Sequence, residues 1–333
     1  MLGSHVADRL QAEGHLVTGL DIVPAAATPA MHQVSGDVRD PRIVASAMRN
    51  AEVVVHCAAA LPSYRADEIR SVTVLGTRTV LNTARRLGVP RVVYISSTAV
   101  YGLPRIVPTP ETHPYAPVDP YSRAKVEAER IAVRFREEGS VVPILRPKTF
   151  VGPGRMGLFA MLFEWAEEGR NFPVLGRGDV RIQMLAIDDL VEAVLLVSFA
   201  QTAAVNGTFN VGATDFGTLR EDFQAILDEA GHGKRVVAIP AGPALIVLKL
   251  LGRTGLSPVY GRLLHKLQSD SHVQTDRIRC ALGFSPALSN REAILRSYRW
   301  WRAQPAASRT GAAGRTSRDP WRQGALALAK AVF

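Results

Sequence analysis

The chain has 333 residues, of which 47% are hydrophobic and 21% charged, so it can bury one large α/β core or two domains and is not a mainly disordered protein. Its two cysteines cannot form a disulfide framework, and the opening residues contain no apolar leader, which together predict a cytoplasmic protein. The longest apolar stretches, Leu190 to Ala200 and Ala241 to Leu251, are shorter than the ~20 residues that span a bilayer.

The formal net charge is +10, from 40 basic and 30 acidic residues. Half of this excess lies in the tail, residues 302–333, and the remaining body shows no dense run of Lys and Arg with interleaved aromatic residues. We therefore expect no nucleic-acid partner. For the last segment, 321–333, two interpretations stay open: a basic amphipathic helix that contacts a membrane or a partner, or a frayed terminus.

The first 150 residues alternate short β-branched runs with amphipathic segments, which is typical of βαβ units around a parallel sheet. Strands are predicted at Leu16–Leu20, Gln33–Ser35, Val53–Cys57, Val92–Ser96 and Val141–Leu145. Helices are predicted at Ser4–Glu13, Pro41–Arg49, Asp67–Leu87 and Pro120–Glu138. The pair Asp119-Pro120 is a good helix start, since it supplies an N-cap side chain and a proline at the first helical position. The pattern predicts a doubly wound α/β domain over residues 1–150.

After Pro147, clusters of glycine and proline break the alternation of predicted strands and helices. We expect a smaller, mainly substrate-binding domain over residues 151–301, with some segments returning to the core of the first domain. The composition of the basic tail, 302–333, predicts disorder, because it offers too little apolar area to offset the entropy of ordering.

The strongest chemical signal is the pair Tyr121 and Lys125, which share one face of a predicted helix at spacing i, i+4. A tyrosine with the ordinary pKa of ~10 is a poor base at neutral pH, but a fixed cation beside it favours the phenolate. A serine at the end of the strand Val92–Ser96 would then hold the substrate oxygen. The spacing alone also occurs by chance as a surface pair, so the serine strand and the sheet context are needed for the functional interpretation.

With these residues in order, the chain resembles the extended short-chain dehydrogenase/reductase superfamily, in its NAD-dependent epimerase/dehydratase branch, over roughly residues 1–301. The resemblance implies a Rossmann-type fold and a catalytic triad of Ser97, Tyr121 and Lys125, in which Lys125 also holds the nicotinamide ribose. Ser97 is chosen within Ser96-Ser97-Thr98 because the following Tyr101-Gly102 matches the S-S-x-x-V-Y-G pattern of the family. Thr98-Ala99 stands where dehydratases carry Asp-Glu, which disfavours sugar dehydration.

The resemblance also implies a cofactor site. Asp21 lies 18 residues after Gly3, close to the spacing expected for the carboxylate that binds the adenosine ribose, and no arginine follows in residues 22–31, which predicts NAD rather than NADP. For Asp37 a plain turn cap, and for the alanines after Cys57 plain core packing, remain alternatives. The implied cofactor-binding residues are Gly3, Asp21, Asp37, Val38, Cys57, Ala58, Ala59, Ala60, Tyr121, Lys125, Pro147 and Thr149.

Three features depart from the family pattern. Gly3 corresponds to the third glycine of G-x-x-G-x-x-G, so the first strand and the first two glycines are missing, and we expect a truncated or mis-started version of a longer protein. The missing strand would lie between strands two and four of a 3-2-1-4-5-6 sheet. Thr73 stands where asparagine is usual, and Arg181 lies about one place from the arginine that binds diphosphate in nucleotide-sugar enzymes.

The sequence predicts an NAD-dependent enzyme that transfers hydride at a secondary alcohol of a small-molecule substrate, with a nucleotide-sugar epimerase as the leading interpretation. A steroid-type or other alcohol dehydrogenase and a non-catalytic NAD-binding relative are the alternatives. The resemblance implies a homodimer that pairs through Asp67–Leu87 and Pro120–Glu138. We expect no metal site, because the histidines show no ligand spacing, and we interpret Asp188-Asp189 as a helix N-cap followed by a first-turn acid.

Overall fold

The computed structural model describes residues 1–23, 31–154, 159–243, 246, 267–305 and 330. Most of the predicted tail, most of the apolar run Ala241–Leu251 and part of the arginine-free stretch 22–31 lie outside these residues. None of the helices formed by these ranges is both long enough and apolar enough to cross a membrane.

The strands of the described residues are short and pair only in parallel. They are β1 (Thr18–Asp21), β2 (His32–Ser35), β3 (Val53–His56), β4 (Arg91–Ile95), β5 (Ile144–Pro147), β6 (Thr149–Val151), β7 (Phe172–Leu175), β8 (Met184–Ala186), β9 (Thr208–Val211) and β10 (Val236–Ile239).

Helices fill most of the connections between these strands. They are α1 (Leu2–Ala12), α2 (Pro41–Ala47), α3 (Ala66–Arg70), α4 (Gly76–Leu87), α5 (Pro120–Glu137), α6 (Phe159–Glu167), α7 (Ile187–Phe199), α8 (Leu219–Ala230), α9 (Asp276–Leu282) and α10 (Asn290–Arg302). A π-helical segment, Ser71–Leu75, joins α3 to α4, and a 3₁₀ helix, Thr98–Tyr101, follows β4.

The central sheet has the strand order β3-β4-β5-β9, and β1 and β2 form a separate parallel pair. Within the described ranges β1 and β3 share no ladder, so the sheet is divided between these two strands. Two further pairs, β6 with β8 and β7 with β10, extend the structure beyond the central sheet.

Side chains alternate between two apolar layers along the central strands, as expected for a sheet buried on both faces. In β4, Val93 and Ile95 pack in one core with α1 and α7, whereas Val92 and Tyr94 pack in a second core with α2, α4 and α5. Helices therefore cover both faces, which is the Rossmann-type α/β arrangement predicted from the sequence.

A further apolar core is built from the later part of the chain, with Phe163 of α6, Phe172 of β7, Phe223 of α8 and Trp301 of α10 among its members. Helices α7 and α9 pack instead in the core of the central sheet, through residues such as Leu190 and Ile278. The later residues thus form a core of their own while some of them return to the first one.

Two predicted elements differ in detail from the structure. The single helix expected over Asp67–Leu87 is interrupted, because Ser71–Leu75 is π-helical. Asp188 is not an N-cap, since α7 begins at Ile187 and both Asp188 and Asp189 lie in its first turn. Asp189 accepts hydrogen bonds from the backbone N–H groups of residues 287 and 288 (2.8 and 3.2 Å), so it anchors a distant loop rather than capping its own helix.

Candidate active site

The residues singled out in the sequence lie at the carboxyl ends of parallel strands, where ligands bind in open α/β sheets. Asp21 ends β1, Cys57 follows β3, Ser97 follows β4 and Pro147 ends β5. Both parts of the divided sheet reach the start of α4 from this side: Val38, after β2, lies against Gly76, and His56, at the end of β3, is hydrogen-bonded to Thr77 Oγ1 at 3.0 Å.

Helix α5 presents Tyr121 and Lys125 toward this edge. The helix begins as predicted, because Asp119 accepts a hydrogen bond from Ser122 N (2.7 Å) and Ser122 Oγ in turn accepts one from Asp119 N, which forms a capping box. Lys125 is 3% exposed, and its ammonium donates to the carbonyl oxygen of Ile95 at 2.9 Å. Tyr121 is half-buried against a small core that contains Ala124.

Ser97 lies two residues beyond Ile95, as the N-cap of the 3₁₀ helix Thr98–Tyr101. Its hydroxyl accepts a hydrogen bond from Ala99 N (3.1 Å), and the side chain is half-buried. The next residue, Thr98, donates to the carbonyl of Pro147 at 3.3 Å, which ties this turn to the end of β5. The structure therefore brings Ser97, Lys125 and Pro147 to one region through short backbone connections.

The ionisable groups beneath this region have altered pKa values. Burial lowers the pKa of Lys125 to about 8, although Cys57 and, to a smaller extent, Glu129 act to raise it. Burial and the nearby Lys125 charge lower the pKa of His56 to about 3, so the imidazole is neutral at physiological pH. Burial raises the pKa of the Cys57 thiol to about 11. Lys125 is the cation of this buried group.

The two acidic residues predicted for the adenosine end differ in their surroundings. Asp21 is exposed, accepts a hydrogen bond from Val23 N (3.1 Å), and lies next to the end of β2 through the bond from Gly36 N to its carbonyl. Asp37 accepts from Arg39 N (2.8 Å) and from the Arg39 guanidinium, which holds its pKa below the usual range. Asp37 is thus a turn residue paired with a cation.

The other predicted cofactor residues are small or peripheral. Ala58 is exposed whereas Ala60 packs in the core beneath Tyr121. Gly3 lies in the first turn of α1, and a Cβ added there would meet nothing closer than the Cβ of Cys57 at 3.9 Å. Thr149 is exposed and pairs in β6 with Met184 of β8, away from the central sheet.

An exposed carboxylate at the end of β1, a run of small side chains after β3 and a buried ammonium on α5 fit a dinucleotide. They supply an acceptor for ribose hydroxyls, room for close backbone approach, and a cation at the far end of the site. The residues of this chain are therefore compatible with NAD.

Sequence reasoning missed a buried polar network behind Ser97. Glu129, one turn beyond Lys125 on α5, is fully buried and forms an ion pair with Arg146 of β5 at 2.5 Å. Ser96 also donates a short hydrogen bond to Glu129. The signal was present in the spacing 121, 125, 129, which puts the carboxylate on the same helix face as the triad.

Cationic and aromatic side chains contact one another in the part of the chain that follows β5. The Arg181 guanidinium is 5.0 Å from the centre of the Phe216 ring, and the His272 ring lies 5.3 Å from the same ring. Lys148 is 5% exposed and donates to Ser271 Oγ at 2.9 Å. The distance in sequence between these residues explains why only Arg181 was singled out beforehand.

Metal binding has no support in the part of the chain that the structure describes, where no three His, Cys, Asp or Glu side chains form a group able to hold an ion.

Comparison with known proteins gives several relatives along most of the chain. The protein y4nG of Sinorhizobium fredii is 32% identical over 98% of this chain and 82% of its own length. UDP-glucose 4-epimerase of Mycolicibacterium smegmatis is 30% identical over 69% of this chain and 80% of its length. A 3 beta-hydroxysteroid dehydrogenase/Delta 5-->4-isomerase of Mycobacterium tuberculosis is 26% identical over 88% and 85%.

Solved structures share the fold. UDP-glucose 4-epimerase of Thermotoga maritima, solved with UDP-glucose, superposes with a TM-score of 0.75 at 22% identity and covers 91% of this chain and 96% of its own. The Bordetella bronchiseptica enzyme WbmG, solved with NAD and UDP, gives 0.73 at 20% identity over 91% of each chain.

The family model described as the NAD dependent epimerase/dehydratase family matches residues 1–212. NAD is the cofactor of this family, in agreement with the exposed Asp21 and the small residues after β3. The chain is a member of the NAD dependent epimerase/dehydratase family.

Proposed function

We propose that this protein oxidises a secondary alcohol of a small-molecule substrate by hydride transfer to NAD, with Ser97, Tyr121 and Lys125 as its catalytic residues. The observation that carries the proposal is the hydrogen bond from the buried Lys125 ammonium to Ile95 O. It joins the helix that carries Tyr121 to the strand end that leads into Ser97. Three residue types suited to alcohol oxidation thus share one edge of the sheet.

Each residue has a distinct task in the reaction. The Ser97 hydroxyl donates a hydrogen bond to the substrate oxygen and holds it beside the phenol of Tyr121. Tyr121 accepts the hydroxyl proton as the carbon loses its hydride, and the Lys125 charge favours the phenolate form that makes this possible. NAD, when bound, supplies the hydride acceptor at its nicotinamide ring.

Residues at the strand ends would hold the cofactor. The Asp21 carboxylate would accept hydrogen bonds from the adenosine ribose hydroxyls, the backbone around Asp37 and Val38 would contact the adenine, and Cys57 to Ala60 would leave room for the pyrophosphate. Gly3 lies in the first turn of α1 and leaves space beside Cys57. The backbone N–H groups at such a helix N-terminus attract an anion. Pro147, Thr149 and Lys125 would serve the nicotinamide end.

A nucleotide sugar is the substrate class we favour, with epimerisation as the outcome: the keto product turns and takes the hydride back on its other face. Arg181 and the buried Lys148 offer cations, and Phe216 beside Arg181 offers an aromatic face. Together they suit a nucleoside diphosphate. The relation to UDP-glucose 4-epimerase supports this choice.

A steroid-type alcohol dehydrogenase is the second candidate, and the similarity to a 3 beta-hydroxysteroid dehydrogenase over 88% of the chain favours it. Such an enzyme releases the ketone and NADH instead of returning the hydride. A non-catalytic NAD-binding relative is the third possibility. For all three, pairing of two copies through α4 and α5 is a prediction that light scattering of the purified protein tests.

The test compares the wild-type protein with Tyr121→Phe and the matched control Tyr298→Phe, whose hydroxyl bonds Glu167 in the other core. Each protein is incubated with NAD and one of two substrates. With UDP-glucose, the conversion to UDP-galactose is measured; with a 3β-hydroxysteroid, the absorbance of NADH is measured. We expect turnover of UDP-glucose that is lost in Tyr121→Phe and retained in the control. Net NADH production from the steroid alone selects the dehydrogenase, and equal rates in all three proteins reject this catalytic assignment.

A further inference from the structure

Glu129 is the only fully buried acidic side chain in the described part of α5, and it continues the helix face of Tyr121 and Lys125 at the same four-residue spacing. A buried carboxylate is costly unless it is paired and hydrogen-bonded. The contacts of Glu129 therefore show what the chain gains by keeping a charge there.

Every contact of Glu129 leads to a different element of the site. Ser96 Oγ of the β4 end donates to Oε2. Tyr115 Oη, in the segment that precedes α5, donates to Oε1 at 2.9 Å, and Arg146 of β5 donates to the same oxygen through Nε (2.9 Å) and Nη2 (2.5 Å). One carboxylate thus joins α5 to two central strands and to the segment between β4 and α5.

Arg146 extends these connections away from the helix. Its Nη1 donates to Tyr101 Oη (2.7 Å) and to the carbonyl of Glu111 (3.0 Å), and Tyr101 Oη in turn donates to Asn210 of β9 at 2.7 Å. The 3₁₀ helix that Ser97 caps therefore also ends on this network, since Tyr101 is its last residue.

We propose that Glu129 is a positioning residue of the catalytic site: it holds helix α5 against the Ser96-Ser97 strand end and places a carboxylate one helical turn from Lys125. The inference rests on the proposed function, because it concerns the same three residues. Glu129 touches neither substrate nor cofactor in this scheme. It acts through Ser96 on the place of Ser97 and through its charge on Lys125.

The charges around Lys125 support the electrostatic part. Burial lowers the pKa of Lys125, whereas Cys57 and, to a smaller extent, the carboxylate of Glu129 raise it, so removal of that carboxylate lowers it further. Titratable and charged groups from several elements face Lys125 and Glu129. They are His56 at the end of β3, Cys57 after it, Tyr94 of β4, Tyr101 of the 3₁₀ helix, Tyr115 before α5, Tyr121 and Arg136 of α5, and Arg146 of β5.

The test uses Glu129→Gln, which removes the charge, and Ser96→Ala, which removes one hydrogen bond and leaves the charge. Ser198→Ala is the matched control, because Ser198 is an equally buried serine that bonds Val194 O within α7. Glu129→Gln leaves the Arg146 guanidinium buried without its carboxylate, so Glu129→Gln/Arg146→Met, which removes both charges, replaces it if the single variant does not fold.

Two quantities are measured on the full chain. The first is the pKa of Lys125, from ¹³C-lysine NMR of the NAD-loaded protein with Lys125→Arg to assign the resonance. The second is kcat and KM with UDP-glucose as the probe. We expect Glu129→Gln to lower the Lys125 pKa by about 0.5 to 1 unit and kcat at least about tenfold, with KM for UDP-glucose changed less than about twofold. Ser96→Ala should lower kcat about three- to tenfold and leave the Lys125 pKa unchanged.

The outcomes separate the two proposals. If both Glu129 variants titrate like the wild type at Lys125 and keep kcat within about twofold, Glu129 is a structural residue only and the inference is wrong. If Tyr121→Phe is inactive while this occurs, the proposed function stands without it. If Tyr121→Phe keeps full activity, the proposed function fails, and the Lys125 titration, which needs no substrate, still decides the electrostatic claim.

Discussion

The side chain of Lys125 crosses from α5 to β4 and donates a hydrogen bond of 2.9 Å to the carbonyl oxygen of Ile95. This contact buries an ammonium at the end of the sheet and brings the helix that carries Tyr121 against the strand that leads to Ser97. An ammonium held by a neutral carbonyl in a buried place titrates well below its usual range. The pH dependence of the protein follows from that placement.

Activity should fall as the pH rises through about 8, because the pKa of Lys125 is lowered to about 8 by burial and the charged form is the active one. Lys125→Arg keeps a cation at all accessible pH values, so its residual activity should lack this alkaline loss. Lys125→Met should reduce kcat at least about a hundredfold at pH 7. The profile of kcat/KM between pH 6 and 10 checks all three expectations, and an alkaline loss that persists in Lys125→Arg contradicts them.

The exposed Asp21 carboxylate at the end of β1 should set both the affinity for NAD and the preference over NADP. Asp21→Asn removes the charge and weakens the acceptor for ribose hydroxyls, so we expect the Kd for NAD to rise about tenfold, or about 1.4 kcal/mol, and the discrimination against NADP to shrink. Asp179→Asn, a substitution of an exposed aspartate beside Arg177, is the control. Calorimetric titration with each dinucleotide gives the answer, and equal NAD affinity in both variants rules out this role.

His56 should make the protein acid-sensitive. Its folded-state pKa of about 3 is below the ordinary value of 6.5, so the neutral imidazole stabilises the fold fully above pH 6.5 and the stabilisation is lost as the pH falls toward 3. The loss amounts to about 1.4 kcal/mol per pH unit in this window. Urea unfolding at pH 7, 5.5 and 4.5 should show a smaller loss in His56→Gln than in the wild type. His15→Gln, at an exposed site, should behave as the wild type.

Alanine substitutions at two glycines should destabilise the fold by different amounts. Gly102 and Gly88 both have positive φ (64° and 68°), but a Cβ at Gly102 would lie 1.9 Å from the carbonyl oxygen of Ala116, whereas one at Gly88 meets nothing within 4 Å. Gly88→Ala should cost about 1–2 kcal/mol of unfolding free energy from the left-handed conformation alone. Gly102→Ala should cost more than about 3 kcal/mol, because backbone must also move. Similar urea midpoints for the two variants contradict this explanation.

Helix starts could be predicted well where neighbouring residues determine them. The start of α5 is an example, because Asp119, Pro120 and Ser122 are neighbours whose capping bonds depend only on the chain near them. The predicted strand limits differ from the observed ones by a few residues. Strand β5, for example, begins three residues after the predicted start at Val141. Strand ends depend on the partner strand, and a single sequence does not contain the partner's register.

The interruption of the predicted helix Asp67–Leu87 could not be predicted in this way. Its π-helical segment carries Thr73 and Val74, both buried, and Thr77 bonds back to the Thr73 carbonyl and to His56. Helix propensity over this window favours a continuous helix. The packing of Val74 with Ala60 and Ala124, and the hydrogen bond between Thr77 and His56, are tertiary effects.

By itself the sequence determined the α/β class and the family, and it predicts Ser97, Tyr121 and Lys125 as the catalytic residues, because periodicity, caps and motif spacing are properties of short stretches of chain. Only the tertiary structure decided that Lys125 bonds Ile95, that Arg39 already holds the Asp37 carboxylate, and that Glu129 joins α5 to Ser96 and Arg146. Such contacts depend on which elements meet after the chain has folded. A buried charge is recognised only when its burial and its partners are both known.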